Sequence, residues 1–345
     1  MRVKKKASPQ RKPFLNRIVF VVAALATGAF LFACNRTEPK PASPPEKITI
    51  AYATVPETAL AQVAQSQGYY REEGLEVTPH LHPYGKPAFE DLLAGKADFA
   101  TVAETPVMFA IMQGEKVSVI ATIQTSSLSN AILARRDRGI LTPGDLKGKK
   151  IAVTLGTTLD FFLDSLLIVH GISRKDVEIV GMKVGEMADA LARGDVDAIS
   201  TFAHYKAITQ KNLDDSVITF QDKDIYRETY NVVATQEFIS KNPLTVKKML
   251  RALIKANKFN RDNPLEVQKI VADLSGIETA IVRDIWADNS FCVTLDQTLI
   301  LALEDESRWA ISNKLTAAKE VPNYLDFIYS DGLKSIKPEA VGILR

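Results

Sequence analysis

The sequence predicts an α/β protein of two similar lobes, each a mixed, mainly parallel sheet flanked by helices. Short apolar strands alternate with amphipathic helices from Ile48 onward, and that alternation builds a parallel sheet with helices on its faces. The alternation occurs twice, about a hundred residues apart. The second occurrence also repeats the wording of the first. Leu191-Ala192-Arg193-Gly194-Asp195-Val196-Asp197-Ala198-Ile199 echoes Leu93-Ala94-Gly95-Lys96-Ala97-Asp98-Phe99-Ala100. In both, a glycine closes a helix and an aspartate three residues later opens a strand.

In chain order, seven bases and no acid in the first 17 residues precede an uncharged run from Ile18 to Ala33. Charge followed by apolar residues is the order of an export signal. Sixteen residues of helix span roughly 24 Å, short of the roughly 30 Å hydrocarbon core, which disfavours a permanent membrane span. The run ends in Leu31-Phe32-Ala33-Cys34, which resembles the lipobox of bacterial lipoproteins. Residues 1–33 are therefore expected to be a signal peptide and Cys34 the lipidated residue, acylated as by palmitate. Asn35 follows, with no retention aspartate after it, so the choice between inner and outer membrane stays open. Residues 34–46 hold four prolines between Thr37 and Pro45 and read as an extended tether.

The first lobe is expected over residues 47–128. Its strands are Ile48–Tyr52, Leu75–Val77 and Asp98–Val102, and its helices cover Pro56–Tyr70 and Pro87–Ala94. Residues 129–228 form the second lobe, opening on a strand from Lys149 to Thr154 and a helix from Leu159 to His170. Residues 229–345 return to the first lobe. After Tyr230–Ala234 the pattern turns to helices alone: Pro243–Asn260, Pro264–Leu274, Ile277–Ala287, Asp296–Asn313 and Val321–Ile328, each with a cap or an early proline.

The chain counts 43 basic and 41 acidic residues; without residues 1–33 the balance is 36 against 41. The basic excess belongs to the leader, and a nucleic-acid surface has no support. With Cys34 lipidated, Cys292 has no disulfide partner, and between Phe291 and Val293 it reads as a core residue.

Four stretches together resemble the type II periplasmic binding proteins of ABC importers for sulfonates, taurine, nitrate and the thiamine pyrimidine precursor. They are Gln67–Val77, Leu93–Phe99, Leu141–Val153 and Leu191–Ile199, and the likeness covers about Lys47 to Asn313. The resemblance implies a Venus-flytrap fold with a small-molecule ligand between the lobes and delivery to an ABC permease on the periplasmic or extracellular side of a bacterial membrane. It also implies two crossing segments, for which Gln124–Asn130 and Ile225–Tyr230 are the hinge candidates. The chain is expected to be monomeric.

In open α/β sheets a ligand lies beyond the carboxyl ends of the strands, where helix N-termini present free amides. That rule selects the loops Ala53–Thr58, Pro83–Pro87, Ala103–Thr105, Gly156–Thr158 and Phe202–Tyr205. The candidate ligand-binding residues are Tyr52, Thr54, Tyr84, Lys86, Glu104, Thr105, Gly156, Thr157, Thr158, Phe202 and His204. Gly156-Thr157-Thr158 suits an oxyanion, since a glycine lets backbone approach and two hydroxyls can donate. It also reads as a turn and a threonine N-cap, with Asp160 three residues after Thr157. Lys86 could add positive charge. Glu104 would repel a simple anion and suits a ligand amine, or is itself a helix cap. Tyr52, Phe202 and Tyr205 could form an aromatic wall with His204, a residue that departs from the family's pattern at this position.

His80 and His82 alternate on one strand face, but no further ligand spacing supports a metal. No cofactor is expected. An enzyme is disfavoured: the chain has no Gly-x-Ser-x-Gly or His-Glu-x-x-His motif, and pyrimidine synthases of similar fold use a cysteine-rich segment that it lacks. The ligand is expected to be anionic or zwitterionic, sulfonate-, taurine- or nitrate-like, or a pyrimidine. A ligand-sensing module docking onto a membrane receptor is the alternative.

Overall fold

The computed structural model describes residues 44–344. The expected signal peptide, Cys34 and most of the tether lie outside the described residues. Pro45 onward forms one compact unit, and none of the described helices is long and apolar enough to cross a membrane.

Twelve strands among the described residues form two sheets. Strands β1 (Glu46–Ala53), β2 (Leu75–His82), β3 (Phe99–Ala103) and β4 (Val117–Ser126) begin the first. The second holds β5 (Asn130–Arg135), β6 (Lys150–Val153), β7 (Glu178–Gly181), β8 (Ala198–Phe202) and β9 (Val217–Phe220). The chain then returns to the first sheet through β10 (Glu228–Thr235), β11 (Ser290–Asp296) and β12 (Val341–Gly342). The orders are β12-β11-β4-β10-β3-β1-β2 and β7-β6-β8-β5-β9. Both sheets are mixed: β2, β1 and β3 run parallel, as do β7, β6 and β8, while β10 lies antiparallel to β3 and β4, and β5 antiparallel to β8 and β9.

The repeated motif does the same work in each sheet. The Asp98 carboxylate accepts from the Thr49 amide at 2.7 Å, and the Asp197 carboxylate accepts from the Lys150 amide at 2.9 Å. Each aspartate also returns its own amide to the same neighbour, to the Thr49 carbonyl and the Lys150 carbonyl. The aspartate thus locks the start of one strand to the adjacent parallel strand. Gly95 and Gly194, at φ +69° and +79°, make the left-handed turn that brings the chain there.

Helices cover the sheets and create two cores, one around Ile50, Leu60, Phe99, Ile120 and Leu253, the other around Ile132, Ile151, Phe162, Leu163 and Ile199. All ten residues of β4 are buried, as expected for a strand covered on both faces. Its polar side chains find partners inside: Thr122 donates to Asn231 at 2.7 Å, and Gln124 to Asn289 at 2.6 Å.

Several sequence expectations change at the local level. The stretch 56–70 is not one helix. A 3₁₀ turn at Pro56–Thr58 leads into a helix at Ala59–Ser66, and Gly68 at φ +74° separates it from the short helix Tyr69–Glu72. The C-terminal region is not helical alone, because β11 runs antiparallel to β4. Cys292 lies on β11 and is only partly buried. Of the expected helix 321–328, only a 3₁₀ turn at Tyr324–Phe327 is present.

The chain passes between the sheets twice, at residues 127–129 and 221–227. The two passages are tied to each other and to the sheets. Gln221 donates to the carbonyls of Leu128 and Asn130 at 2.7 and 3.0 Å, and Arg227 donates to the Thr125 hydroxyl at 3.0 Å.

Candidate functional site

Between the sheets lies a cavity with about 400 Å³ of empty space, its mouth included. The first sheet contributes Val55 and Glu57 after β1, Tyr84, Gly85 and Lys86 after β2, and Ala103 and Pro106 at and after the end of β3. Thr157 and Thr158 follow β6, and Phe202 and His204 come from the end of β8. Because β10 runs antiparallel, its opening residues Glu228 and Tyr230 reach the same space. The loops that the carboxyl-end rule selects therefore converge on one cavity.

Of the expected residues, Tyr84, Lys86, Thr157, Thr158, Phe202 and His204 meet at this cavity. The others do not line it. Tyr52 is buried in the first core. Thr54 lines an adjoining cleft with Pro83 and Tyr205. Gly156 lines a neighbouring groove beside Leu155 and Asp160. Glu104 and Thr105 are completely buried behind the wall: Glu104 accepts from the Tyr226 hydroxyl and from the amide and hydroxyl of Thr229 at 2.9 and 3.1 Å, and Thr105 donates to Glu306 at 2.6 Å. Glu104 is thus a buried tie to the crossing segment, and not a group exposed to a ligand.

The oxyanion expectation at Gly156-Thr157-Thr158 is also revised. The Gly156 amide donates to the Asp160 carboxylate at 2.9 Å, so the chain supplies its own anion there, and Arg174 holds that carboxylate at 2.7 Å. Thr157 donates to the Thr154 carbonyl at 2.6 Å, and Thr158 to Asn130 at 3.4 Å. Lys86 reaches across the cleft to the Leu155 carbonyl at 3.0 Å. Gly156 matters for that contact in another way. It sits at φ +67°, and a Cβ there would stand 3.2 Å from the Lys86 ammonium.

Glu57, Glu228 and Tyr230 are cavity residues that sequence reasoning leaves unnamed, although their segments belong to a selected loop and a crossing candidate. Burial and the nearby Glu228 push the Glu57 carboxyl up to about 8. Burial raises Glu228 as well, opposed by the Asn130 amide, which donates to it at 3.1 Å. His204 goes the other way, its imidazole pushed down to about 4 by burial. Three buried polar atoms of these walls lack a protein partner: Glu57 Oε2, Tyr230 OH and His204 Nδ1. Buried polar atoms are ordinarily satisfied, so three orphans around one cavity mark it as a place where another molecule completes the bonding.

Gly85 makes the floor possible. A Cβ on it would fall 2.5 Å from the Tyr230 hydroxyl and 3.1 Å from Val102 Cα. Only a glycine admits the tyrosine oxygen into the cavity wall.

The described histidines do not form a metal centre. His80 and His82 both turn to Asp91, at 3.4 and 2.9 Å, on the outer strand. No cluster of His, Cys, Asp or Glu among the described residues is arranged to hold a metal ion.

Two mixed α/β sheets, joined by two tied crossings and enclosing a cavity at their strand ends, define a periplasmic-binding-protein fold. The chain belongs to the NMT1/THI5-like family, whose model matches residues 55–267. It is 29% identical over 228 residues to a putative aliphatic sulfonates-binding protein of Bacillus subtilis (strain 168), covering 65% of this chain and 68% of that one. It is 27% identical over 262 residues to the taurine-binding periplasmic protein of Escherichia coli (strain K12), covering 73% and 80%. Among solved structures it resembles the alkanesulfonate-binding protein SsuA from Xanthomonas axonopodis pv. citri bound to MOPS. That match has a TM-score of 0.71 and 19% identity, over 84% of this chain and all of that one.

Proposed function

We propose that the chain is a solute-binding lipoprotein, cut before Cys34 and lipidated there, which captures a small molecule between its two sheets and passes it to an ABC permease. It works as a monomer and without catalysis. The observation that carries the reading is the cavity itself, lined by five strand-end loops drawn from both sheets and fringed by orphaned polar atoms. A molecule touching both walls favours the closed arrangement because only that arrangement offers it both sets of contacts. The family membership and the similarity to sulfonate- and taurine-binding proteins support the same role. Cys292 does not line the cavity, and burial raises its thiol, which lowers the share of thiolate. A lipid on Cys34 and the proline-rich tether would hold the binder near its permease and raise its effective concentration there.

Of the anionic and zwitterionic ligands that the relatives suggest, those carrying an amine or amino group suit this cavity best, because two buried carboxyls face it. Mass spectrometry of small molecules that co-purify with the chain tests the reading. One compound is expected at near-equal amount with wild-type protein. Gly85→Val, which must displace Tyr230, is expected to carry at least tenfold less while melting cooperatively. Recovery of no compound, or of the same amount from the variant, would contradict it.

A further inference from the structure

We propose that the cavity selects a compact organic cation, an ammonium or amidinium group attached to a small apolar or planar body, and holds it between Glu57 and Glu228. The proposal rests on the solute-binding reading and adds the chemical class of the ligand.

The walls are rich in acceptors. Glu57 is 5% exposed, lines the cavity, and leaves Oε2 without a protein partner. Glu228 is 2% exposed and lines the same cavity, with Asn130 donating to one of its oxygens at 3.1 Å. The Tyr230 hydroxyl and His204 Nδ1 also lack partners, and both can accept. Cationic donors are scarce by comparison. Lys86 is the one lysine or arginine in the lining, and one of its three N-H groups is given to the Leu155 carbonyl. The amide that would suit an oxyanion, that of Gly156, is held by Asp160.

A sulfonate entering here would meet two carboxyls and lose its water without gaining a matching set of N-H groups. A cation bearing several N-H donors would satisfy the orphaned acceptors one by one. The side walls suit the rest of such a molecule. Tyr84, Phe202 and His204 line the cavity, and Phe202 and His204 stack with ring centroids 6.1 Å apart and planes 14° apart. Aromatic faces attract a cation and pack against a planar body.

Glu57 also makes binding sensitive to protons. Glu228 and Tyr230 from β10 act on it directly, and Lys86 from the loop after β2 and His204 from the end of β8 line the same cavity. None of these supplies Glu57 with a counter-ion, and burial keeps its proton on near neutral pH. An entering cation replaces that proton, so binding at pH 7 releases it to the buffer.

Benzamidine serves as the amidinium probe, with pentanesulfonate as the contrasting probe, each titrated calorimetrically into the full chain in detergent. Benzamidine is expected to bind and sulfonate not to bind. Glu57→Gln and Glu228→Gln, which keep shape and remove charge, are expected to weaken benzamidine at least tenfold. In the unmodified chain, titrations in two buffers of different ionisation heat should show proton release, a readout that needs no variant. Sulfonate binding without benzamidine binding would overturn the cation class and leave the solute-binding reading standing. Unchanged benzamidine affinity in both variants, or binding without proton release, would overturn it too. If no probe binds, the cation class fails in this form, and the co-purified compound decides the solute-binding reading separately.

Discussion

Replacing Trp309 by alanine is expected to destabilise the folded unit by roughly 3–5 kcal/mol, the cost of emptying a large buried aromatic site. Trp309 is 7% exposed on the helix Gln297–Ser312, which belongs to the first sheet's layer. Its indole meets Phe109 of the same lobe edge-on at 5.9 Å and Phe161 of the second lobe at 5.3 Å. Phe161 in turn meets Tyr226 of the crossing segment at 5.2 Å. The indole N-H donates to Asp164 at 2.7 Å, and Asp164 with Asp160 grips Arg174. Removing the ring therefore empties a junction between lobes and also strips a donor from a carboxylate that is 1% exposed. Trp309→Phe separates the two effects. It keeps most of the packing and loses only the hydrogen bond, for which about 1–3 kcal/mol is expected because the acceptor stays buried. Urea unfolding of the three proteins checks the order. Equal stability of wild type and the alanine variant would show that the junction contributes nothing.

Stability is expected to fall as pH rises from about 6.5 to above 8, the reverse of what paired carboxylates produce. Burial raises the carboxyls of Glu57, Glu104, Glu228 and Glu306 above their ordinary value near 4.5, Glu57 and Glu104 to about 8, and Glu306 well above that ordinary value. The folded state keeps protons that the unfolded chain has already released. Their contribution is full below about 4.5 and is lost as pH climbs through the folded values. His204, pushed down to about 4 from 6.5, acts oppositely: its contribution is present above 6.5 and lost as pH falls toward 4. Between about 4.5 and 6.5 the two trends oppose each other, and above 6.5 only the carboxyls act. Glu57→Gln removes one ionisation without changing the shape of the site. At pH 8.5 it is expected to be more stable than wild type by roughly 3–5 kcal/mol, since each pH unit of the displacement from 4.5 to about 8 is worth about 1.4 kcal/mol. Chemical denaturation at pH 6 and 8.5 measures this. A wild type that gains stability over that interval would refute the buried, protonated state of these carboxyls.

The parts of the site legible in the sequence are those set by local chain geometry. Strand ends followed by helices can be read from periodicity, and they pick out Tyr84, Lys86, Thr157, Thr158, Phe202 and His204, which the fold brings together at one cavity. The repeated Gly-x-x-Asp signal also points to a shared structural job, fulfilled at Asp98 and Asp197. What the sequence conceals depends on distant partners. Glu57, between a proline and a threonine, looks like a solvated acid in a first helical turn, and only the later strand β10 buries it under Glu228 and Tyr230. Glu104 looks like a ligand group until Tyr226 and Thr229, more than a hundred residues on, claim both its oxygens. Strand β11 was legible in principle. Phe291, Val293 and Leu295 alternate with Cys292 and Thr294, a period of two that helical neighbours on either side obscure.

One small molecule is expected to engage both sheets at once. Hydrogen exchange of the backbone amides, with and without the compound that the chain carries, tests it most directly. Saturation is expected to protect Tyr84–Lys86 in the first sheet's loops together with Thr157–Thr158 and Phe202–His204 in the second's, and to slow exchange at the crossings 127–129 and 221–227. Protection confined to one sheet, or found away from these loops, would contradict the account.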